Sequence, residues 1–326
     1  MNKALDGVGV FSIIGNFMFE ILLLIGTGLL LLIAGAEGLV KGSTTLAFRL
    51  GLTPLVIGLT VVAFGTSAPE LLVSLQATFS GETDLALGNV VGSNIGNIAL
   101  ILGIAALLKP LQVKLQVVRR EVPIMLGATL TLMVMLLDGS LSRWEGAILF
   151  AGLLAYLVFS LKVQAREGET EIPPGLRRSG KVWVALGLTG IGLVGLVVGA
   201  ALFIKGAVGL AERFEVPSVV IGLTIVAIGT SLPELATSVV AAFRGKGDIA
   251  IGNVVGSNIF NILGILGITA LLHPLSGSSL TAFDLGAMLL SALLILPLLY
   301  TGFTLNRWEG GVLVSGYVFY VYTVFP

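Results

Sequence analysis

The chain has 326 residues, of which 56% are hydrophobic and 11% charged, with a mean hydropathy of +1.05; soluble domains carry about a quarter charged residues, so a water-soluble fold is excluded and an all-α integral membrane protein is expected. Lys plus Arg equal Asp plus Glu at 18 each, which gives no net charge to attract a nucleic acid or an acidic partner. With no cysteine and the lone His273, there is no disulfide, no thiol nucleophile and no thiolate or multi-histidine centre, so any bound metal must be held by oxygen.

In chain order, residues 1–19 read as a short extramembrane lead-in, because Asp6 and Glu20 interrupt the apolar run after Lys3 and no cleavage site stands out. Apolar spans follow near 20–40, 54–79, 85–108, 121–137 and 144–162, each close to the roughly 20 residues that cross hydrocarbon. The stretch 164–181 holds Arg166, Glu167, Glu169, Glu171, Pro173, Pro174, Arg177 and Arg178 and cannot span. Five more spans lie near 183–204, 217–243, 249–272, 282–300 and 308–325. The expected parts are the lead-in, a first unit over 20–163, a linker over 164–181 and a second unit over 182–326.

The two units are copies of each other. Residues 58–111 match 222–275 without a gap at an offset of 164, with roughly two-thirds of positions identical. The same offset carries Lys41-Gly42 onto Lys205-Gly206, and Arg143-Trp144-Glu145-Gly146 onto Arg307-Trp308-Glu309-Gly310. Five spans is an odd number, so the second copy must enter the membrane from the opposite side. Ten helices in two inverted-topology repeats characterise secondary transporters, whose sites lie near the midplane between rocking halves. Counted by side over these ten spans, basic residues divide 4 against 14. The positive-inside rule then puts both termini outside and the linker in the cytoplasm of a cell-membrane protein.

The second span of each repeat contains a polar island, Gly65-Thr66-Ser67-Ala68-Pro69-Glu70 and Gly229-Thr230-Ser231-Leu232-Pro233-Glu234. Proline has no amide hydrogen and collides with the preceding turn, while glycine eases unwinding, so helices 2 and 7 are expected to be discontinuous here. Carbonyls around Gly65, Thr66 and Ala63, and around Gly229, Thr230 and Ala227, then need partners that a cation can supply. A midspan carboxylate costs about 2.5–3.5 kcal/mol even on a lenient insertion scale, which makes Glu70 and Glu234 functional candidates. The bland alternative, a residue that only glues helices together, is weakened because no Lys or Arg stands in the interior of a span to pair with them. Two carboxylates about 5 Å apart repel by roughly 3 kcal/mol at an effective dielectric of 20, so the empty pair takes up protons or metal ions. Two bidentate glutamates supply four oxygens, and the carbonyls of Thr66 and Thr230 bring the set to the six that calcium requires.

The third spans hold Gly88-Asn89-Val90-Val91-Gly92-Ser93-Asn94-Ile95-Gly96-Asn97 and Gly252-Asn253-Val254-Val255-Gly256-Ser257-Asn258-Ile259-Phe260-Asn261. Ser93 and Asn97 lie four apart and share a helix face, as do Ser257 and Asn261, and that face can look at the glutamates. Singly, such residues also serve as interhelical hydrogen bonds or close-packing positions; the pairing favours function. Other polar residues read as structural. Glu37 precedes Lys41 by four and suits an interfacial ion pair, Asp84 and Asp248 suit helix caps, and His273, Trp144 and Trp308 suit the interface.

The doubled Gly-Thr-Ser-x-Pro-Glu and Gly-Asn-x-x-Gly-Ser-Asn resemble the alpha repeats of the cation/calcium exchanger superfamily, over nearly the whole chain. The resemblance implies ten helices and sodium-driven calcium transport, with calcium held by Glu70, Glu234 and the backbone oxygens of Thr66 and Thr230. It places sodium at Ala63, Ser67 and Ser93 on one side and at Ala227, Ser231 and Ser257 on the other, with Asn97 and Asn261 completing the centre. Many sodium/calcium exchangers have aspartate where this chain has Asn261, so only two formal charges face the ions and exchange close to electroneutral is expected. Proton/calcium relatives usually carry a second acid in the third-span motif, and Asn89 to Asn97 contains none, which favours sodium over protons. The expectation is therefore a transporter, not an enzyme, with inorganic cations and the bilayer as partners, no cofactor, no nucleic acid and no obligate protein partner. A channel remains as a rival, and an intramembrane hydrolase is remote because no nucleophile is set beside a base.

Overall fold

The computed structural model describes residues 3–171, 181–215, 227–277 and 280–324, with side chains described from Met18 onward except over 163–171 and at Ala227. The chain is helical: α1 (Lys3–Leu50), α2 (Pro54–Thr66), α3 (Ala68–Phe79), α4 (Thr83–Leu108), α5 (Val117–Asp138), α6 (Arg143–Glu171), α7 (Val182–Arg213), α8 (Ala227–Thr230), α9 (Leu232–Phe243), α10 (Gly247–Leu272), α11 (Ala282–Tyr300) and α12 (Arg307–Val324). Seven of these, α1, α4, α5, α6, α7, α10 and α11, are long and apolar enough to cross a membrane, and α2 with α3, bent by 42° at their junction, makes an eighth if counted as one span. The chain is a helical membrane protein. Helix α1 runs through the residues expected as a lead-in, although its membrane-length apolar stretch begins at Met18. Helix α6 extends to Glu171, into the expected linker, whose residues 172–180 lie outside the described ones, as do 217–226 of the expected seventh span.

Burial sorts the helices. Within their most apolar windows, α4 is 78% buried and α10 89%, against 22% for α1 and 28% for α6, α7 and α11. The motif-bearing third spans are thus the centre, and the others turn a face to lipid. Helix α10 packs against α2, α4, α6 and α9, so the two repeats interlock. The same interlocking shows in two short antiparallel ladders, β1 (Leu111–Gln112) with β4 (Thr304–Leu305) and β2 (Ser140–Leu141) with β3 (Leu275–Ser276). At the offset of 164, β1 maps onto β3 and β2 onto β4. Each ladder therefore ties the exit of one repeat's third span to the entry of the other repeat's fifth.

Helices α1 and α7 meet along repeat-related glycines. A Cβ at Gly28 would lie 2.6 Å from Phe203 N, one at Gly35 2.8 Å from Gly192 O, and one at Gly42 2.6 Å from Thr189 N. The α7 partner number falls as the α1 number rises, so the helices run antiparallel. Small residues at such a contact let backbones approach, which is how helices associate in lipid. Gly35→Leu is expected to force the pair apart at a cost of about 1–3 kcal/mol, read as a lower melting temperature in detergent. Gly26→Leu, with nothing within 4 Å of its Cβ position, should leave the melting temperature unchanged.

Two local expectations are corrected. Glu37 pairs with Arg244, whose Nε donates to both carboxylate oxygens at 2.8 and 3.0 Å, and not with Lys41; the turn between α9 and α10 brings a planar guanidinium opposite the carboxylate, and bidentate geometry wins. Asp84 and Asp248 are not caps: α4 and α10 begin one residue earlier, at Thr83 and Gly247, and place both acids inside the first turn, where the helix dipole favours them. Asp248 also lies 3.4 Å from Lys114. Capping instead operates at the fifth spans. Glu145 accepts from Ser142 N at 2.8 Å and Glu309 from Asn306 N at 2.8 Å, each acid reaching back three residues. His273, Trp144 and Trp308 are exposed on the protein surface.

Candidate functional site

Helix α2 ends at Thr66 and α3 begins at Ala68, with Ser67 between them at φ −80°, ψ 6°. The second repeat does the same at Ser231, φ −88°, ψ 7°. Pro69 and Pro233 lie at the second position of the new helix, where a missing amide hydrogen costs nothing. Each following glutamate sits in the first turn and is buried to 1% exposure.

The serines bind the glutamates crosswise. Ser67 Oγ donates to Glu234 Oε1 at 3.1 Å, and Ser231 Oγ donates to Glu70 Oε1 at 3.1 Å. Each carboxylate thus belongs to one repeat and is oriented by the other. Its second oxygen, Glu70 Oε2 or Glu234 Oε2, is buried and has no hydrogen-bond partner among the described residues. Leaving a buried charged acceptor unsatisfied costs more than the 1–3 kcal/mol of a neutral one, so these two oxygens are candidates to face a positive ligand.

The central helices frame this pair. Asn89 Nδ2 donates to the Glu70 backbone oxygen at 3.2 Å and to Ser74 Oγ at 2.9 Å; Asn253 Nδ2 donates to the Glu234 backbone oxygen at 3.3 Å and to Ser238 Oγ at 3.1 Å. Thr66 Oγ1 donates to Asn253 Oδ1 at 3.0 Å, again across the repeats. Further along, α4 and α10 widen into π-helical turns over Gly96–Leu102 and Phe260–Leu266, which admit one extra residue and recur at functional sites. The turn with Asn97 packs on α9, whose first turn carries Glu234, and the turn with Asn261 packs on α3, whose first turn carries Glu70. Asn97 Nδ2 donates to Asn258 Oδ1 and Asn261 Nδ2 to Asn94 Oδ1, both at 3.1 Å. Asn97 Oδ1 and Asn261 Oδ1, like the glutamate Oε2 atoms, are buried without a partner among the described residues.

Of the twelve residues expected at the site, Glu70, Glu234, Ser67 and Ser231 are brought into direct contact. Thr66, Ser93, Asn97, Ala63, Ser257 and Asn261 are buried beside them on α2, α4 and α10, and Thr230 is buried on α8. Ala63 O accepts Ser67 N at 3.0 Å and Thr66 Oγ1 at 3.3 Å, so helical bonding already uses it. Ser257 Oγ has no partner among the described residues. Ala227 opens α8, and its side chain lies outside the described ones. No group of three or more His, Cys, Asp or Glu that could hold a metal occurs among the described residues, so neutral oxygens must complete any cation's shell around the two carboxylates. Face reasoning passed over Asn89, Asn253, Asn94 and Asn258, although the doubled motif contains all four.

A model of the sodium/calcium exchanger protein family matches residues 7–162 and 184–325. The chain is 43% identical over 255 residues to the inner membrane protein YrbG of Escherichia coli, covering 76% of this chain and 78% of that one. It is 35% identical to the sodium/calcium exchanger MaX1 of Methanosarcina acetivorans, covering 94% and 98%. Among solved structures, the sodium-calcium exchanger NCX_Mj soaked with Na+ and Sr2+ superposes with a TM-score of 0.83 at 33% identity, over 93% of this chain and 98% of that one.

Proposed function

Because the chain belongs to the sodium/calcium exchanger family, we propose that it exchanges sodium for calcium across the cell membrane by alternating access, with the ion held between Glu70 and Glu234. One observation carries this reading: four buried oxygens, Glu70 Oε2, Glu234 Oε2, Asn97 Oδ1 and Asn261 Oδ1, form a set matched between the repeats and have no donor among the described residues. Carboxylate and carbonyl oxygens are the hard ligands that calcium and sodium take. Each Oε1 keeps a lone pair beyond its serine, and the Thr66 and Thr230 carbonyls complete the calcium shell. Ser67 and Ser93, with Ala227, Ser231 and Ser257, are the flanking sodium ligands, and Ala63 O joins them by giving up the bond from Ser67 N or Thr66 Oγ1. Each Oε1 also accepts a serine, which the expectation of two purely bidentate glutamates does not include.

The antiparallel α1 and α7 support an inverted-repeat reading, because equivalent first spans of repeats entering from opposite faces must run oppositely. Ten spans result when the α8–α9 segment and α12 are added to the eight. Both termini then lie outside and the linker in the cytoplasm, on the count of 4 basic residues against 14.

Coupling follows from charge. The site crosses readily when one calcium or two sodium ions neutralise the two carboxylates, and poorly when empty, because an unbalanced charge in hydrocarbon is costly. Two protons would balance it equally, so a proton/calcium antiporter is the second reading; the absence of an acid between Asn89 and Asn97 favours sodium. The test is calcium uptake into reconstituted vesicles under an imposed sodium gradient or an imposed proton gradient. The expected result is uptake driven by sodium and stalled without a counter-ion. Uptake driven only by protons selects the second reading, and flux without any counter-ion selects a channel.

A further inference from the structure

On the reading of this site as a cation site, we propose that Asn94 and Asn258 are positioning residues: across the repeat boundary they fix which end of the Asn97 and Asn261 amides is presented to the ion. An asparagine amide has an acceptor end and a donor end of nearly equal shape. Turned one way it offers a cation ligand; turned the other way it offers two N–H groups that repel the ion. Something must decide between these, and neither Asn97 nor Asn261 can do so alone.

The hydrogen bonds around Asn258 make that decision. Its Nδ2 lies 3.4 Å from Asn94 O and 3.5 Å from Met125 Sδ. A backbone carbonyl and a thioether have no proton to give, so the end of Asn258 facing them must be the donor. Its Oδ1 is thereby turned to Asn97 and accepts Asn97 Nδ2 at 3.1 Å. With its donor end engaged, Asn97 has only Oδ1 left, and that atom is buried without a partner among the described residues. The sequence of bonds runs one way, from a carbonyl that can only accept to an oxygen left for the ion. On the other arm Asn94 Oδ1 accepts Asn261 Nδ2 at 3.1 Å and leaves Asn261 Oδ1 in the same condition, but Asn94 Nδ2 has no partner among the described residues, so this arm is held by the one bond while Asn258 is also anchored at its donor end. All four side chains are at most 2% exposed, so no water competes to reverse an amide. Asn94 and Asn258 each stand three residues before the amide of their own repeat but serve the amide of the other, as Ser67 and Ser231 do for the glutamates.

The test is a double-mutant comparison read by calcium binding to purified protein, using titration calorimetry so that transport is not required. In the otherwise unaltered protein, Asn258→Leu is expected to weaken calcium binding by about tenfold or more, the size of leaving one buried polar group without its partner. In an Asn97→Asp background both side-chain oxygens are acceptors, and no orientation remains to be fixed. There Asn258→Leu is expected to change binding by less than about threefold. Asn258→Ala makes the same comparison if the leucine variant does not fold, and Asn94→Leu with Asn261→Asp repeats it on the other arm. Equal losses in both backgrounds would mean that Asn258 only packs, and would overturn the assignment; so would the absence of any loss in the unaltered background. If the unaltered protein binds no calcium, the reading of the site fails first, and the assignment fails with it.

Discussion

Glu70→Gln is expected to abolish calcium uptake into sodium-loaded vesicles while the protein still inserts and remains monodisperse, and Glu234→Gln is expected to do the same. Glutamine preserves shape and can still accept Ser231 Oγ, so the broken helix keeps its local bonding. On the proposed reading, what is lost is one of two negative charges facing a divalent ion, together with one of the four unpartnered oxygens, replaced by an amide NH2 whose hydrogens repel the ion. Removing one member of a buried charge pair typically costs 3–5 kcal/mol, which at about 1.4 kcal/mol per decade is at least about a hundredfold in affinity. Both variants are needed because the repeats contribute equivalently: Ser67 orients Glu234 and Ser231 orients Glu70, at the same 3.1 Å. Wild-type uptake rates in both would remove these residues from the transport site.

The second large effect concerns voltage. On the proposed reading, one calcium or two sodium ions balance the two carboxylates of the unaltered protein, so a complete cycle should move no net charge. A membrane potential, worth about 2.3 kcal/mol per elementary charge per 100 mV, should then leave the rate of exchange unchanged. Asn261→Asp adds a third carboxylate at the position whose Oδ1 is already unpartnered. The site then balances three sodium ions but carries one surplus negative charge with calcium, and exchange should become voltage-sensitive. The measurement is sodium-driven calcium uptake into vesicles with an imposed potassium diffusion potential of either sign. Clear charge movement in the unaltered protein would defeat the electroneutral reading.

Much of this arrangement is legible in the residues because it is local and doubled. A proline after Gly-Thr-Ser-x has one reading in an apolar span, and finding it twice at a fixed offset makes the glutamates a pair before any fold is known. What escaped is what depends on a third dimension. Ser93 and Asn97 share a face by helical spacing, and that spacing discards Asn94, which lies about 100° round the helix. The π-helical turn that begins at Gly96 changes the register, and contact with α10 gives Asn94 a partner; neither has a short-range signal. Glu37 illustrates the same limit. Its neighbour four residues on is Lys41, but the partner that wins is Arg244, 207 positions away, brought near by the packing of α1 on α9.

The Glu37–Arg244 clip has a consequence of its own. On the proposed reading of two inverted repeats that alternate access, two identical copies would make the two resting postures, one open to each face, equal in free energy. The positions matching this clip are Ala201 and Ser80, which cannot form one, so this contact has no counterpart under exchange of the two repeats. An exposed ion pair is screened by solvent and weak, so any tilt between the two postures that it gives is small. If the clip forms in one posture alone, a shuttle assembled from two related halves would thereby acquire a preferred side on which to wait.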